Sequence, residues 1–354
     1  MTRFLIVRLS SLGDILHTLP AFSALRRRFP EAEISWLVGE MGQEILTMVP
    51  GIDRIHVLPE SALKPGKKDF IKNIRSFRRS IRLKDRTALD FQGLIKSGAA
   101  AWLSGAERRL GFGRSNCREP QATLFYTEKA ATFPETRHVI EKNLALLELI
   151  GIQEREFVFP LNIPRPLQDF TQTTLTDLGL KPGQKLILMN VGAAWESKRW
   201  FTENWIKMIP HVASKEHFSL ILWGNPLEKS IAEEIRRGTG IPLVPPLSIP
   251  QVMAFIQRTD LLVSGDTFAL QAACALNRPV VGLFGPTNPN RNGPFSPLDK
   301  VAFHPSECSL CYKRKCASLH CLKDITPEEV AGMALDILKN DTPVSYTHLT
   351  LPTN

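Results

Sequence analysis

The sequence predicts an α/β protein of two Rossmann-like, doubly wound domains that face a central cleft. Three observations predict it. Short apolar runs with strand character alternate with helical stretches along the chain, which is the pattern of a mostly parallel sheet. The alternation pauses at one proline-rich segment and then restarts. Each half also holds a strand that ends in a polar turn and feeds straight into a helix. With 354 residues, 43% of them hydrophobic, the chain can build two cores of ordinary size.

In the first half, Arg3 to Arg8 reads as a strand, Leu9 to Gly13 as a loop, and Asp14 to about Phe29 as a helix. A strand at Glu33 to Val38 and a helix after Gly42 follow. Thr87 to Phe91 reads as a strand, Ile95 to Leu103 as a helix, and His138 to Ile150 as a longer helix. From Phe159 to Pro166 three prolines fall within seven positions, which favours extended backbone and reads as a linker. The second half offers strands at Lys185 to Asn190, Ser219 to Trp223, Leu261 to Val263 and Val280 to Phe284. The domains are therefore expected at 1–158 and 169–341, joined by a linker at 159–168. The tail 342–354 carries no Lys, Arg, Asp or Glu and reads as an appended, non-native or disordered end.

Charge and hydropathy narrow the function classes. Of the formal net charge of +9, Lys64 to Arg86 alone holds ten basic residues against Asp69 and Asp85. Phe70, Ile74, Phe77 and Ile81 recur there as one apolar stripe, so the segment is expected to be a basic amphipathic helix. It could dock on an anionic membrane or a phosphorylated acceptor, or it could pack its stripe on its own core. No helix-turn-helix, zinc-finger or RNA-binding signature supports a nucleic-acid partner. No apolar run reaches the roughly 18 residues of a membrane span, and the run Phe4 to Val7 meets Arg8 at once, so neither a span nor a signal peptide is expected. A cytoplasmic protein is expected.

Two turns carry the candidate chemistry. Leu261 to Val263 ends at Ser264-Gly265-Asp266-Thr267, after which Ala269, Ala272, Ala273 and Leu276 recur at helical spacing. Asp266 or Thr267 would cap that helix, and a helix N-terminus after a parallel strand suits a phosphate, although many such turns bind nothing. After the first strand, Gly13 permits a tight turn and Asp14 opens the next helix, where it could act as a general base or simply cap the helix. In the second half Val191 to Trp200 follows a strand end, and Lys198 could neutralise a departing diphosphate. No G-x-G-x-x-G follows the first strand, which argues against a nicotinamide oxidoreductase.

Six ordered segments resemble one family. They are SSLGDILHTLPA (Ser10 to Ala21), DFQGLIKSG (Asp90 to Gly98), REPQATLFY (Arg118 to Tyr126), SKRWFTENW (Ser197 to Trp205), SGDT (Ser264 to Thr267) and GLFGPTNPNRNGP (Gly282 to Pro294). Together they resemble the ADP-heptose lipopolysaccharide heptosyltransferases, inverting glycosyltransferases of the GT-B type (family 9). The likeness is strongest to the heptosyltransferase I branch, which adds heptose to the Kdo region of the inner core. The resemblance implies ADP-heptose as donor, a Kdo-lipid A acceptor and peripheral association with the cytoplasmic face of the inner membrane, with no metal or cofactor required. It implies Asp14 as the base and Lys198 as the cation facing the donor phosphates. Gly13, Ala193, Ala194, Asp266, Thr267 and Gln271 would line the donor site, and Lys96 and Arg118 would meet the acidic acceptor.

The chain departs from the family pattern at Ala193 and Ala194, where small hydroxyl residues are usual, at Phe268 in place of Gly, and at Gln271 in place of His. Alternatives are a heptosyltransferase II-like or other nucleotide-sugar transferase of the family, and a two-lobed nucleotide-sugar binding protein that has lost catalysis. REPQATLFY argues for the first reading, while Asp14 and Lys198 argue against a lapsed binding protein. Finally, Cys308, Cys311, Cys316 and Cys321 lie within fourteen residues, with His304 and His320 nearby. The spacing admits a structural zinc or iron–sulfur site, or four reduced thiols.

Overall fold

The computed structural model describes residues 2–59 and 86–339. The basic amphipathic segment and the tail 342–354 therefore lie outside the described residues, apart from Arg86. That residue is buried, and its guanidinium holds Glu33 at 2.7 Å and the Ser35 hydroxyl at 2.8 Å. It belongs to the core, not to a basic face. Among the described residues no helix is long and apolar enough to cross a membrane.

The chain divides into two compact units, Met1–Asn162 and Ile163–Asn354. In the first, β1 (Arg3–Val7), β2 (Glu33–Gly39), β3 (Arg54–Leu58), β4 (Thr87–Asp90), β5 (Arg108–Gly111) and β6 (Glu128–Lys129) form a parallel sheet in the order β3-β2-β1-β4-β5-β6. Phe4 to Val7 are almost wholly buried because β1 lies mid-sheet with both faces covered, which explains an apolar run without alternation. The helices of this unit include α1 (Leu12–Arg28), α2 (Ile95–Leu103) and α3 (Val139–Leu146). The helix expected to run to Ile150 tightens into a 3₁₀ turn at Leu147–Ile150 and stops at Gly151, whose φ of 76° suits a glycine.

The second unit holds α4 (Arg165–Asp177), β7 (Lys185–Asn190), α5 (Thr202–Val212), β8 (His217–Leu222), α6 (Pro226–Thr239) and α7 (Ile249–Arg258). It continues with β9 (Leu261–Gly265), α8 (Phe268–Ala275), β10 (Val280–Leu283), β11 (Lys300–Ala302) and α9 (Pro327–Lys339). Its parallel sheet runs β11-β10-β9-β7-β8 around a core that includes Trp205, Phe255 and Phe284. α4 begins inside the segment expected to be extended. Pro166 sits in its first turn, where a missing N–H costs nothing.

Four strands escape a reading of periodicity: β3, β5, β6 and β11. They are short, lie toward the sheet edges, and carry Arg, His, Glu or Lys that half-buried edge positions tolerate. The order of both sheets places a topological switch next to the strands that matter. The order in which strands are laid down reverses between β1 and β4 in one unit, and between β7 and β9 in the other, while all strands stay parallel. In open α/β sheets, ligands settle outside the carboxyl ends of strands at such points.

Candidate active site

At the β1/β4 switch, the chain leaves β1 through Arg8 to Ser11 and enters α1 at Leu12, two residues earlier than the sequence suggests. Gly13 thus lies inside the helix and is not a turn residue. Asp14 is in its first turn, where one carboxylate oxygen accepts from the Ser11 backbone N–H (3.0 Å) and hydroxyl (2.9 Å). Its other oxygen meets the Arg8 guanidinium at 2.7 Å. Asp14 therefore caps the helix and still presents a carboxylate, so the two readings of this residue are not exclusive. Burial alone would raise its pKa. The positive field of Arg8 and His17, with the two Ser11 hydrogen bonds, instead holds it below the ordinary carboxylate value.

Arg8 was not singled out by the sequence, yet its position was a signal, since a buried arginine ends an apolar strand only when something pairs with it. It also donates to the Phe91 carbonyl of the neighbouring loop. That loop follows β4, whose last residue, Asp90, is fully buried. Asp90 accepts from the Tyr126 hydroxyl (2.7 Å), the Ser97 hydroxyl (2.7 Å) and the Gln92 N–H (2.9 Å). Burial raises the Asp90 pKa in spite of these bonds. Gln92, so fixed, accepts from the Leu9 N–H (2.7 Å) and donates to the Ser10 hydroxyl (3.3 Å). The DFQG segment thus clamps the loop that delivers Asp14.

Lys96 and Arg118 are exposed and come to the same edge. The Glu119 N–H donates to the Gly93 carbonyl (3.0 Å), and the Glu119 carboxylate accepts from the first N–H of α2 (2.7 Å).

At the β7/β9 switch, Asn190 closes β7. Its amide donates to the Gly192 carbonyl (3.1 Å) and to the Ser264 and Thr267 hydroxyls (3.0 and 3.1 Å), which binds the two strand ends together. Thr267 is the N-cap residue of α8. Lys198 lies in a 3₁₀ turn, Glu196–Lys198, and its ammonium contacts the Asp266 carboxylate at 2.6 Å and the Asp266 carbonyl at 3.1 Å. Ala193 is buried and offers only its carbonyl, to Arg199 Nε at 2.9 Å, while Ala194 is exposed. Gln271 is buried, and its amide donates to the Asn292 carbonyl at 2.7 Å, so it braces the loop after β10.

A further carboxylate sits here that the sequence reading missed. Glu228 is buried on α6, accepts from the Gly224 N–H at 2.7 Å, and lies so close to Gly192 that a Cβ there would fall 2.2 Å from the carboxyl carbon. The signal was Asn225-Pro-Leu-Glu228, an N-cap with Glu three residues on.

The four thiols of Cys308, Cys311, Cys316 and Cys321 are unpaired, and among the described residues no three His, Cys, Asp or Glu side chains are gathered as a metal would need. Cys308 and Cys311 are exposed, whereas Cys321 is buried against Gly285. Of the two readings that the spacing admits, a structural metal site is not assembled among the described residues.

Comparison with known proteins identifies the family. The family model described as glycosyltransferase family 9 (heptosyltransferase) matches residues 74–322. Lipopolysaccharide heptosyltransferase 1 of Pseudomonas aeruginosa is 28% identical, covering 98% of this chain and 94% of its own length. The protein of the same name from Escherichia coli K12 is 27% identical over 86% of this chain and 94% of its own. Among solved structures, the family 9 glycosyltransferase of Veillonella parvula superposes with a TM-score of 0.80 at 21% identity, over 96% of this chain and 98% of that one. E. coli heptosyltransferase WaaC with ADP-2-deoxy-2-fluoro heptose superposes with a TM-score of 0.73 at 24% identity, over 95% and 99%. These neighbours share the GT-B type of fold. With the family model spanning most of the chain, and both switch points carrying polar residues of the segments that first suggested it, the protein belongs to glycosyltransferase family 9, the heptosyltransferases.

Proposed function

We propose that the protein transfers heptose from ADP-heptose to the Kdo region of the lipopolysaccharide inner core, in one inverting displacement that needs no divalent metal. The observation that carries this reading is the Asp14 carboxylate, held ionised by Arg8 at a sheet switch point and still about one-third exposed. The names of the relatives at 27–28% identity support the choice of sugar and acceptor.

In this reading the unit Met1–Asn162 takes the acceptor and the unit Ile163–Asn354 takes the donor. Asp14 removes the proton of the acceptor hydroxyl as that oxygen attacks the anomeric carbon. The bond to the diphosphate breaks, ADP leaves, and the configuration inverts. Lys198, Asp266 and Thr267 meet the diphosphate at the N-terminus of α8, where helix N–H groups without intrahelical partners face the sheet edge. Glu228, which lies against Gly192 at the start of the loop that carries Ala193 and Ala194, receives the ribose hydroxyls. Lys96 and Arg118 face the acidic groups of the acceptor, and the basic residues from Lys64 to Lys84 favour work at the cytoplasmic face of an anionic membrane.

The test is to incubate the protein with ADP-heptose and Kdo2-lipid A, without added metal, and follow the acceptor by mass spectrometry. The expected product carries one extra heptose, formed by wild type and not by Asp14→Asn. Donor binding without transfer would instead mark a different acceptor or a lapsed enzyme.

A further inference from the structure

The cysteine-rich loop has no part in the function described so far, and its contacts show what it carries. The Ser197 hydroxyl donates to the Lys313 carbonyl at 2.6 Å, and the Ser197 N–H donates to the Arg314 carbonyl at 3.2 Å. Ser197 is buried and stands directly before Lys198. The Tyr312 N–H donates to the Pro286 carbonyl at 3.0 Å, and Arg291 lies over the Tyr312 ring at 5.8 Å. The segment Tyr312 to Arg314 is thus pinned both to the turn that carries Lys198 and to the loop after β10.

This anchorage seats Arg314 over the indole of Trp195, with Cζ 5.6 Å from the ring centroid. The Lys198 ammonium lies over the same ring at 4.4 Å. Both cations touch one indole, so their separation cannot exceed the sum of those two distances. They differ in what else they touch. Lys198 is already neutralised by Asp266 at 2.6 Å and is only 15% exposed. Arg314 is exposed and forms no ion pair with a described residue. Glu196, the nearest other carboxylate in the turn, is exposed and likewise unpaired among the described residues.

The charge balance then points one way. A nucleoside diphosphate brings more than one negative charge, while the Lys198–Asp266 pair contributes no net charge, and Ala193 and Ala194 supply no side-chain donors. A second cation would add to the field of the α8 N-terminus, and an exposed guanidinium on a flat aromatic seat is suited to bidentate recognition of phosphate.

We propose that Arg314, delivered by the cysteine-rich loop and seated on Trp195 beside Lys198, is a diphosphate-binding residue of the donor site. This rests on the reading of the unit Ile163–Asn354 as the donor domain. Its counterpart in the sequence is the run Tyr312-Lys313-Arg314-Lys315 between two cysteines.

The experiment is calorimetric titration of the full chain with ADP, UDP and adenosine, in wild type, Arg314→Gln and Arg314→Lys. Because Arg314 is exposed, neither variant should disturb the fold, and equal melting temperatures will show it. The expected result is a loss of about ten-fold or more in ADP affinity for Arg314→Gln, unchanged binding of adenosine, and partial recovery in Arg314→Lys. Undiminished ADP binding by Arg314→Gln overturns the proposal, as does an equal loss for adenosine, which would mean a general disturbance of the site. If wild type prefers UDP with the same dependence on Arg314, the ADP-heptose reading fails while the diphosphate role stands. If wild type binds neither nucleotide, both fail.

Discussion

The two switch points carry the same device in opposite senses. Each pairs a cation with an aspartate at the carboxyl edge of a parallel sheet, at 2.7 Å for Arg8–Asp14 and 2.6 Å for Lys198–Asp266. In the first unit the cation is buried, at 8% exposure, and the carboxylate stands forward at 34%. In the second the carboxylate is buried at 7%, and the cation is the more accessible partner at 15%. A buried arginine behind an accessible carboxylate presents a base that stays ionised. A buried carboxylate behind a lysine orients a cation toward the helix N-terminus. The difference teaches that burial of one partner, more than the identity of the pair, assigns the chemistry.

Removing the forward group of each pair should produce the largest effects. Asp14→Asn is expected to lower turnover by about 100- to 10,000-fold, the usual reach of general-base assistance, with ADP binding by calorimetry unchanged. Wild-type turnover in this variant would end the assignment. Lys198→Ala should cost about 100-fold in kcat/KM, and it should also weaken ADP binding, because it leaves the Asp266 carboxylate uncompensated beside the phosphates. A variant that loses turnover while gaining affinity for ADP would reverse the picture drawn for the second unit.

Smaller effects test what stands behind those groups. Gly192→Ala would drive a methyl into the Glu228 carboxylate, displacing it from the Gly224 N–H. A loss of about ten-fold in ADP affinity is expected, and an unaltered affinity would remove Glu228 from the donor site.

Arg8→Gln should act on the pH profile. Asp14 has a folded pKa below the ordinary value, so the favourable interaction is present above the unfolded pKa and lost as pH falls through the folded one. Without Arg8 the acid limb of kcat/KM, expected below about pH 3.9 in wild type, should move upward. An unmoved limb would show that Arg8 does not set the ionisation of Asp14.

The smallest change should come from Tyr126→Phe, which takes one hydrogen bond from the buried Asp90. A loss of about 1–3 kcal/mol of stability is expected from denaturant unfolding, together with a further rise of the Asp90 pKa. No loss at all would mean that the clamp on the Asp14 loop does not depend on this hydroxyl.

Much of this was legible beforehand. The mid-sheet strands β1, β7 and β9 announce themselves as apolar runs because both of their faces are covered, and the turns that follow them carry Asp14, Lys198, Asp266 and Thr267. Lys96 and Arg118, twenty-two positions apart, come to one edge of the first unit through Gly93 and Glu119. Edge strands were less readable, since a four-residue stretch such as Arg108–Gly111 gains its hydrogen bonds from neighbours distant in sequence. Gln271 shows the limit for side chains. Its amide can serve a ligand or a carbonyl equally well, and only packing reveals that Asn292 takes it.

By itself, then, the sequence determined the alternation of strands and helices, the residues at the strand ends and the family to which they point, because these depend on local periodicity and on the order of short segments. The tertiary structure decided which partner each of those residues holds and which member of each pair is buried: Arg8 behind Asp14, Asp266 behind Lys198, Glu228 against Gly192, and Arg314 beside Lys198 on Trp195. The physical reason is that the field on Asp14 is local, from Arg8, Ser11 and His17, but the burial of Arg8 against the Phe91 loop and the partners of Lys198, Glu228 and Arg314 come from atoms dozens of residues away, which strand order and loop packing bring within a few ångströms.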